Sequence, residues 1–390
     1  MHRLQFHYTL GRDTGPARVH NPLIGLLQAV ATQGSISAAA RALGYSYRHV
    51  WGELKRWEDE LGNGLVTWDK GQPAHLTEFG HKLMWAERQA QVRLAPQIEA
   101  LRGELERAFS VAFDDRAHVL TLYASHDSAL AALREHALAL GPTQQAQRDT
   151  HGPLHLDIRF CGSVDAIRAL NEGRCAMAGF HTLQSPAPGS LAERTYKPLL
   201  RPGQHKIIGF AQRTQGLIVA PGNPLALQRL ADLAGTRARF VNRALGTGTR
   251  LLLADLMAQT GMAEADISGF ERTEPSHAAA AHAVADGSAD CALGIEAAAH
   301  QLQLGFVPLV QESYHLVCLK SALEQPATRA LRAVLASAAW HDQLRTMAGY
   351  QPQQCGDVLP LRTVLPWWQF KRRKNGNRQT ADRSAAAGSS

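Results

Sequence analysis

Cysteine is scarce and scattered. The 390 positions hold five (Cys161, Cys175, Cys291, Cys318 and Cys355), odd in number and never spaced as CxxC. Such a set argues against a disulfide frame or a zinc site and favours reduced thiols in the cytoplasm. No apolar run approaches the roughly 18 residues of a membrane span. The first twenty residues, MHRLQFHYTLGRDTGPARVH, lack the apolar core of a secretory signal. HExxH and GxSxG are also missing, so neither a helical zinc pair nor a hydrolase elbow is expected. The 18 histidines are expected on the surface or in loops; His151 and His155 flank Pro153, which speaks against a helical metal pair. There are no internal repeats. Apolar residues make up 45% and charged residues 19%, ordinary for a globular protein, and the length suits two or three domains.

The net charge of +7 says little by itself. Residues 369–390 hold six Lys/Arg against Asp382 alone, so this basic tail, expected to be disordered, carries most of the excess. Residues 1–110 hold 13 Lys/Arg and 11 Asp/Glu, so any case for nucleic acid must rest on where the charges sit.

After a polar arm at 1–20, Asn21-Pro22 reads as N-cap and first helical position, with Leu23, Leu26, Leu27 and Val30 at helical spacing. Ser35 or Ser37 caps a second helix, with Ala39, Ala40 and Leu43 facing inward, and Gly44 ends it. Ser46 caps a third helix to about Leu61, whose buried stripe is Val50, Leu54, Trp57 and Leu61. Residues 65–77 read as a hairpin wing tipped by Lys70-Gly71-Gln72. From 78 to about 109 the pattern is helical again, with Leu94, Ile98, Leu101, Leu105 and Ala108 in line, and Pro96 should kink or break it.

These elements make a winged helix-turn-helix over 21–77 and a linker or dimerisation helix over 78–112. A DNA-reading helix needs an apolar stripe to hold it and a polar N-terminal face to reach base edges. Ser46, Tyr47, Arg48 and His49 supply that face, and Arg48 matches the paired acceptors of guanine. Arg41, Lys55, Arg56 and Lys70 are expected on phosphates. The plainer alternative is a helical hairpin with a solvated charged face. Residues 21–109, through SISAAARALGYSYRHVWGELKRWEDELG, the wing and LTEFGHKL, resemble the winged helix-turn-helix of ModE and LysR regulators. SYRHVW with Trp51 and Trp57 leans toward the ModE type. The resemblance implies a homodimer, or a dimer of dimers, on a palindromic double-stranded operator.

Past residue 117 short apolar runs alternate with Ala/Leu-rich helical stretches, which predicts an α/β domain with mainly parallel sheets over 117–368, its second lobe at about 212–305. Small-polar loops end several runs: Ser125-His126-Asp127-Ser128, Gly162-Ser163-Val164-Asp165, Gly179-Phe180-His181 and Asn242 through Arg250. Ligands of α/β lobes bind at the carboxyl ends of strands, where helix N-termini offer N–H groups. Singly each loop is a capped turn; together, if they converge, they would make a dehydrated cage for a small anion, the GTGT segment adding two glycines for close backbone approach and two threonine hydroxyls. Arg243 can pair with the anion or merely brace its own loop.

Residues 117–365 resemble the type II periplasmic-binding-protein fold, closest to the PBP-like domain of some molybdenum-related cytoplasmic regulators. FCGSVDAIRALNEGRCAMAGFHTL, QGLIVAPGNPLAL, RFVNRALGTGTRLLLADLM and EPSHAAAAHAVADGSADCALGIEAAA carry the likeness, with GTGT where that domain has GSGT. In that fold a ligand sits between two closing lobes, so the resemblance implies Ser125, Ser163, His181, Arg243, Thr247, Gly248 and Thr249 as the pocket. It implies an intracellular sensor of molybdate, tungstate or a related molybdenum- or formate-metabolism signal, with no cofactor, no metal site and no catalytic residue. The usual molybdate-binding β-barrel of ModE has no counterpart segment here. The competing reading is an enzyme or binding protein of molybdenum cofactor metabolism with a vestigial DNA-binding domain. Trp367-Trp368 can pack the C-terminus onto the body or touch a partner.

Overall fold

A computed structural model describes residues 21–68, 73–113, 118–139, 154–184 and 186–368. The arm at 1–20, the wing tip with Lys70, His151 and the basic tail lie outside these residues.

Local signals decide the first domain. Helix α1 (Pro22–Gln33) starts at Asn21, whose side chain accepts from Leu23 N at 3.0 Å. Helix α2 (Ile36–Leu43) is capped by Ser35 and stopped by Gly44, where φ is 73° and a side chain would be strained. Helix α3 (Tyr47–Leu61) is capped by Ser46, whose Oγ accepts from His49 N at 3.2 Å. Leu23, Leu26, Leu27, Val30, Ile36, Ala39, Ala40, Val50 and Leu54 form the core with Leu65 and Leu76 of the wing. The stripe of α3 is narrower than expected, since Trp57 and Leu61 are only half buried. Leu43, expected inside, is 37% exposed, because the chain turns away at Gly44 before a neighbour can cover it. Strands β1 (Val66–Thr67) and β2 (His75–Leu76) pair antiparallel as the wing.

Helix α4 (Glu78–Phe113) is a single element of 36 residues. Phe79, Leu83 and Met84 pack on the winged core, so its first turns belong to that domain. The helix runs on through Pro96 rather than breaking there, and Pro96 is buried. Leu94 and Leu101, of the proposed stripe, and Trp85 are exposed.

The larger domain builds one curled sheet in the order β4-β3-β5-β10-β6-β9-β7-β8. Its parts are β3 (His118–Ala124), α5 (Ser128–Ala139), β4 (Leu154–Phe160), α6 (Ser163–Asn171), β5 (Met177–Leu183), α7 (Leu191–Tyr196) and β6 (His205–Val219). After these come α8 (Asp232–Gly235), β7 (Phe240–Arg243), α9 (Gly248–Thr260), β8 (Thr273–Glu274), α10 (His277–Ala285), β9 (Cys291–Ile295), α11 (Glu296–Gln301) and β10 (Gly305–Leu319). The chain closes with α12 (Pro326–Leu335), α13 (Ala338–Arg345), β11 (Tyr350–Pro352), β12 (Val358–Leu359) and α14 (Leu361–Val364).

The sheet is mixed, not mainly parallel. Pairs β3–β4, β3–β5, β7–β8 and β7–β9 are parallel, as right for strands joined through helices. The long strands β6 and β10 run antiparallel through the centre and also pair antiparallel with β9 and β5. One carries the chain into the second lobe and the other brings it back, so they must oppose each other. Trp367 is buried beside Tyr196, which settles the C-terminal tryptophan pair on the body of the domain. Among the described residues no helix is long and apolar enough to cross a membrane.

Candidate DNA-reading face and ligand cleft

The first turn of α3 is open to solvent. Tyr47, Arg48 and His49 are all exposed, with Ser46 and Arg41 beside them, and the Tyr45 ring lies 4.8 Å from that of His49. The two other expected phosphate contacts are engaged within the helix. Lys55 Nζ sits 2.6 Å from Glu58 Oε2 and 4.8 Å over the Trp68 ring, while Arg56 pairs with Glu53 at 2.5 Å. Glu58 also accepts from the amides of Leu65 and Val66 at 2.8 and 3.2 Å, which ties α3 to the wing. Burial pushes its carboxyl up, but the Lys55 hydrogen bond and these amides outweigh it and hold the group below the usual carboxylate range.

The cleft lies where the two lobes face across β6 and β10. Ser125 follows β3, Ser163 opens α6, and their hydroxyls are 3.4 Å apart. Ser163 Oγ is 3.5 Å from His181 Nδ1 on β5, and His181 stacks on Tyr314 with ring centroids 3.9 Å apart. From the other lobe come Arg243, at the end of β7, and the loop that opens α9. Thr247 serves that loop: its hydroxyl donates to Ala244 O at 2.8 Å and caps Arg250 N. Thr249 Oγ accepts from Gln215 Nε2 at 3.2 Å and lies 3.3 Å from His277 Nε2.

The lobes meet at glycines. A Cβ on Gly162 would lie 2.7 Å from Gly246 O, and one on Gly248 would lie 2.9 Å from His181 Cβ. Only hydrogen at these two positions lets the rims close to this distance.

Besides the loop residues Asp127 and Arg243, the charge comes from two strand residues the loops did not announce, Arg213 and Glu312. Arg213, 2% exposed on β6, donates from Nε to Glu312 Oε2 at 2.7 Å and from Nη1 to Asp127 Oδ2. Tyr350 OH donates to the same Asp127 oxygen at 2.7 Å, and Gln215 Nε2 to Glu312 Oε2 at 2.8 Å. Burial works against the charge of Arg213, but Glu312 and Asp127 more than restore it, and its pKa stands above the ordinary arginine value. Arg243 has no such partner. It is 2% exposed; Nη2 donates to Pro275 O at 3.1 Å, while Nε and Nη1 have no hydrogen-bond partner among the described residues. Burial, helped by Arg213, pulls its pKa down to about 9. His181 Nε2, His277 Nδ1 and Tyr314 OH are also buried without hydrogen-bond partners among the described residues. Burial first, then the nearby arginines, keep both imidazoles neutral well below their ordinary pKa.

The histidine expectation therefore fails at six positions, while His49, His75, His81 and His300 are exposed as expected. His155, His181, His205, His277, His282 and His315 are all buried, on strands or on α10, because each finds packing or a hydrogen-bond partner inside. His277 could have been seen in sequence: Ser276 before an alanine run is a cap signal that places it in a first turn.

The chain thus joins a winged domain with an exposed third helix to a two-lobed domain that buries a poorly paired cation. Known proteins match each part separately. Residues 23–81 match the bacterial regulatory helix-turn-helix proteins of the LysR family, and residues 144–336 match the PBP superfamily domain. The first domain is thus similar to the helix-turn-helix of LysR-family regulators, and the larger domain to the PBP superfamily.

A Bacillus subtilis (strain 168) relative, the uncharacterized protein YvgK, is 30% identical over 52% of this chain and 64% of its own length. The match thus spans less than two thirds of that relative. An uncharacterized Clostridium pasteurianum protein from the 5′ region of a 2Fe-2S ferredoxin gene is 31% identical over 28% of this chain and 97% of its own. Among solved structures, CbnR, a LysR family transcriptional regulator, aligns over 80% of this chain and 98% of its own at 17% identity, with a TM-score of 0.38.

Proposed function

We propose that this chain is a cytoplasmic, homodimeric transcriptional regulator that closes its cleft on a small anion and thereby changes its hold on a double-stranded operator. The observation that carries the reading is Arg243, a buried guanidinium with two nitrogens unpartnered in a ring of hydroxyls and neutral imidazoles. Asp127, already bonded to Arg213, only partly offsets the cost of burying this cation, and an anion seated there would remove the rest. Ser125, Ser163 and Thr249 add neutral donors, and Gly248 opens α9 with free N–H groups. We assign base reading to Arg48 with Tyr47 and His49, and phosphate contact to Arg41 and, once freed from their partners, Lys55 and Arg56. The exposed stripe of α4, with Leu94 and Leu101, is the surface we assign to the second copy.

Molybdate and tungstate lead the ligands to test, followed by formate. Their support is the ModE-like SYRHVW segment and the match of an oxyanion to one arginine among neutral donors. A thermal-shift series with molybdate, tungstate, sulfate, phosphate and formate ranks them, since a ligand of the folded state raises the melting temperature. Stabilisation that disappears in Arg243→Met supports the reading. A flat response to every anion moves the pocket to an organic ligand.

A further inference from the structure

We infer that α4 is a strap that grips both lobes on opposite sides of a proline hinge, so that cleft closure bends the helix and turns the winged domain. The inference rests on the reading of the cleft given above, and it names how that site is wired to the DNA-reading face.

The grips are specific. Before Pro96, Arg93 makes a two-pronged pair with Glu274 of the second lobe, Nη2 to Oε1 at 2.8 Å and Nε to Oε2 at 3.2 Å. One turn earlier Gln89 Nε2 lies 3.0 Å from His282 Nδ1 and donates to Asp286 Oδ2, at the end of α10. The side chains of Glu274, His282 and Asp286 are buried, so α4 reaches into built partners even though Arg93 itself is half exposed. After Pro96 the partners change lobe. Arg102 pairs with Glu135 of α5 at 3.4 Å, and Glu104 with Arg159 of β4 at 3.7 Å.

Pro96 lies between the two sets. It has no N–H for the carbonyl of Val92, so the helix is weakest at bending where its allegiance changes. The turns before it are packed into the winged core through Phe79, Leu83 and Met84. The winged domain therefore travels with the second lobe, and the rest of α4 with the first.

The cleft end of the path is just as short. Glu274, Pro275, Ser276 and His277 are consecutive. Glu274 faces the strap, the Pro275 carbonyl accepts from Arg243, Ser276 caps α10, and His277 lies against Thr249 in the cleft. Whatever moves Arg243 or His277 moves the anchor of Arg93 within three residues of backbone.

Wedge variants test this without a known ligand. Gly162→Ala and Gly248→Ala each place a methyl group against the opposite lobe and force the rims apart. Hydrogen exchange of the full-length chain is then read along residues 89–104. The expected result is loss of protection on both sides of Pro96 in either wedge variant. In a Glu274→Gln background, where the grip is already weakened, the wedge should add nothing. Unchanged protection in both wedge variants, or the same increment with and without Glu274, overturns the inference.

A DNA arm uses an operator selected in vitro by the wild-type chain. There Gly162→Ala should shift operator affinity about five-fold or more, the lower end of usual coupling, and Arg93→Ala should abolish that shift. An equal shift in the Arg93→Ala background again overturns the strap. Failure to select any operator removes the proposed function, while the exchange arm still decides the strap.

Discussion

Replacing Arg243 by methionine should make the empty protein more stable and blind to anions. At neutral pH a guanidinium drawn from 12.5 to about 9 is disfavoured as a cation by on the order of 5 kcal/mol. Its one hydrogen bond, to Pro275 O, offsets about 1 kcal/mol. Methionine fills much of the same channel without charge, so the unliganded chain should gain about 1–4 kcal/mol, the range seen when buried ionic groups give way to apolar ones. Chemical denaturation in a buffer free of oxyanions measures it. In the wild type an anion at a hundred times its Kd should add about 2.7 kcal/mol, and in Arg243→Met nothing.

Alkaline pH gives an independent check with a fixed sign. Between about 9 and 12.5 the unfolded chain still holds a proton that the folded chain has released at Arg243. Folding is therefore favoured as pH rises through that window, and the rise, taken as the difference between the two proteins, must vanish in the variant. An Arg243→Met protein that is less stable than wild type, or that keeps its response to anions, refutes the account of the cleft.

Acid should act through the buried imidazoles. His181 and His277 sit well below their ordinary 6.5, and burial takes His315 down to about 3, so the unfolded chain binds the protons first. Stability is then full above about 6.5 and is lost as pH falls, at about 1.4 kcal/mol per pH unit for each histidine; a midpoint that stays flat from pH 7 to 5 contradicts it. On DNA, Arg48→Ala should relax base selectivity by about 1–3 kcal/mol at one position. Arg41→Ala should instead lower the salt slope by about 0.9 per half-site and leave selectivity alone; binding isotherms on operator and scrambled duplexes at several salt concentrations separate the two. Leu101, 59% exposed on α4, is expected against the second copy, so Leu101→Glu should convert a dimer to a monomer by light scattering, while an unchanged mass places the interface elsewhere.

What could be read beforehand was what neighbours in sequence decide. Asn21, Ser35, Ser46 and Gly44 set helix ends through atoms two to four residues away, and each stands where the sequence puts it. Leu43 faced the wrong way because its helical phase says nothing about how soon the chain departs. The loops of the cleft were legible as loops, including Ser125, Ser163 and Thr249, but their electrostatics were not. Arg213 meets Asp127 across 86 residues and Glu312 across 99, and no periodicity records such a meeting. Arg93 and Glu274 are 181 apart, so the linker read as a coiled-coil stripe and not as a strap. Burial of six histidines was hidden for the same reason: each is covered by surroundings assembled from distant parts of the chain.

The two crossing strands have a consequence for how the chain is made. Residues between β6 and β10 form a contiguous block with its own apolar centre around Leu233, Phe240, Leu253 and Phe270. The first lobe is different: Leu120, Leu156 and Ile158 pack with Leu331, Trp340 and Tyr350, almost two hundred residues later. A chain emerging from the ribosome can finish the inserted block while the earlier strands still wait, exposed, for the last helices to arrive. Truncation near the C-terminus should therefore injure the oldest-synthesised part of the sensor more than its middle.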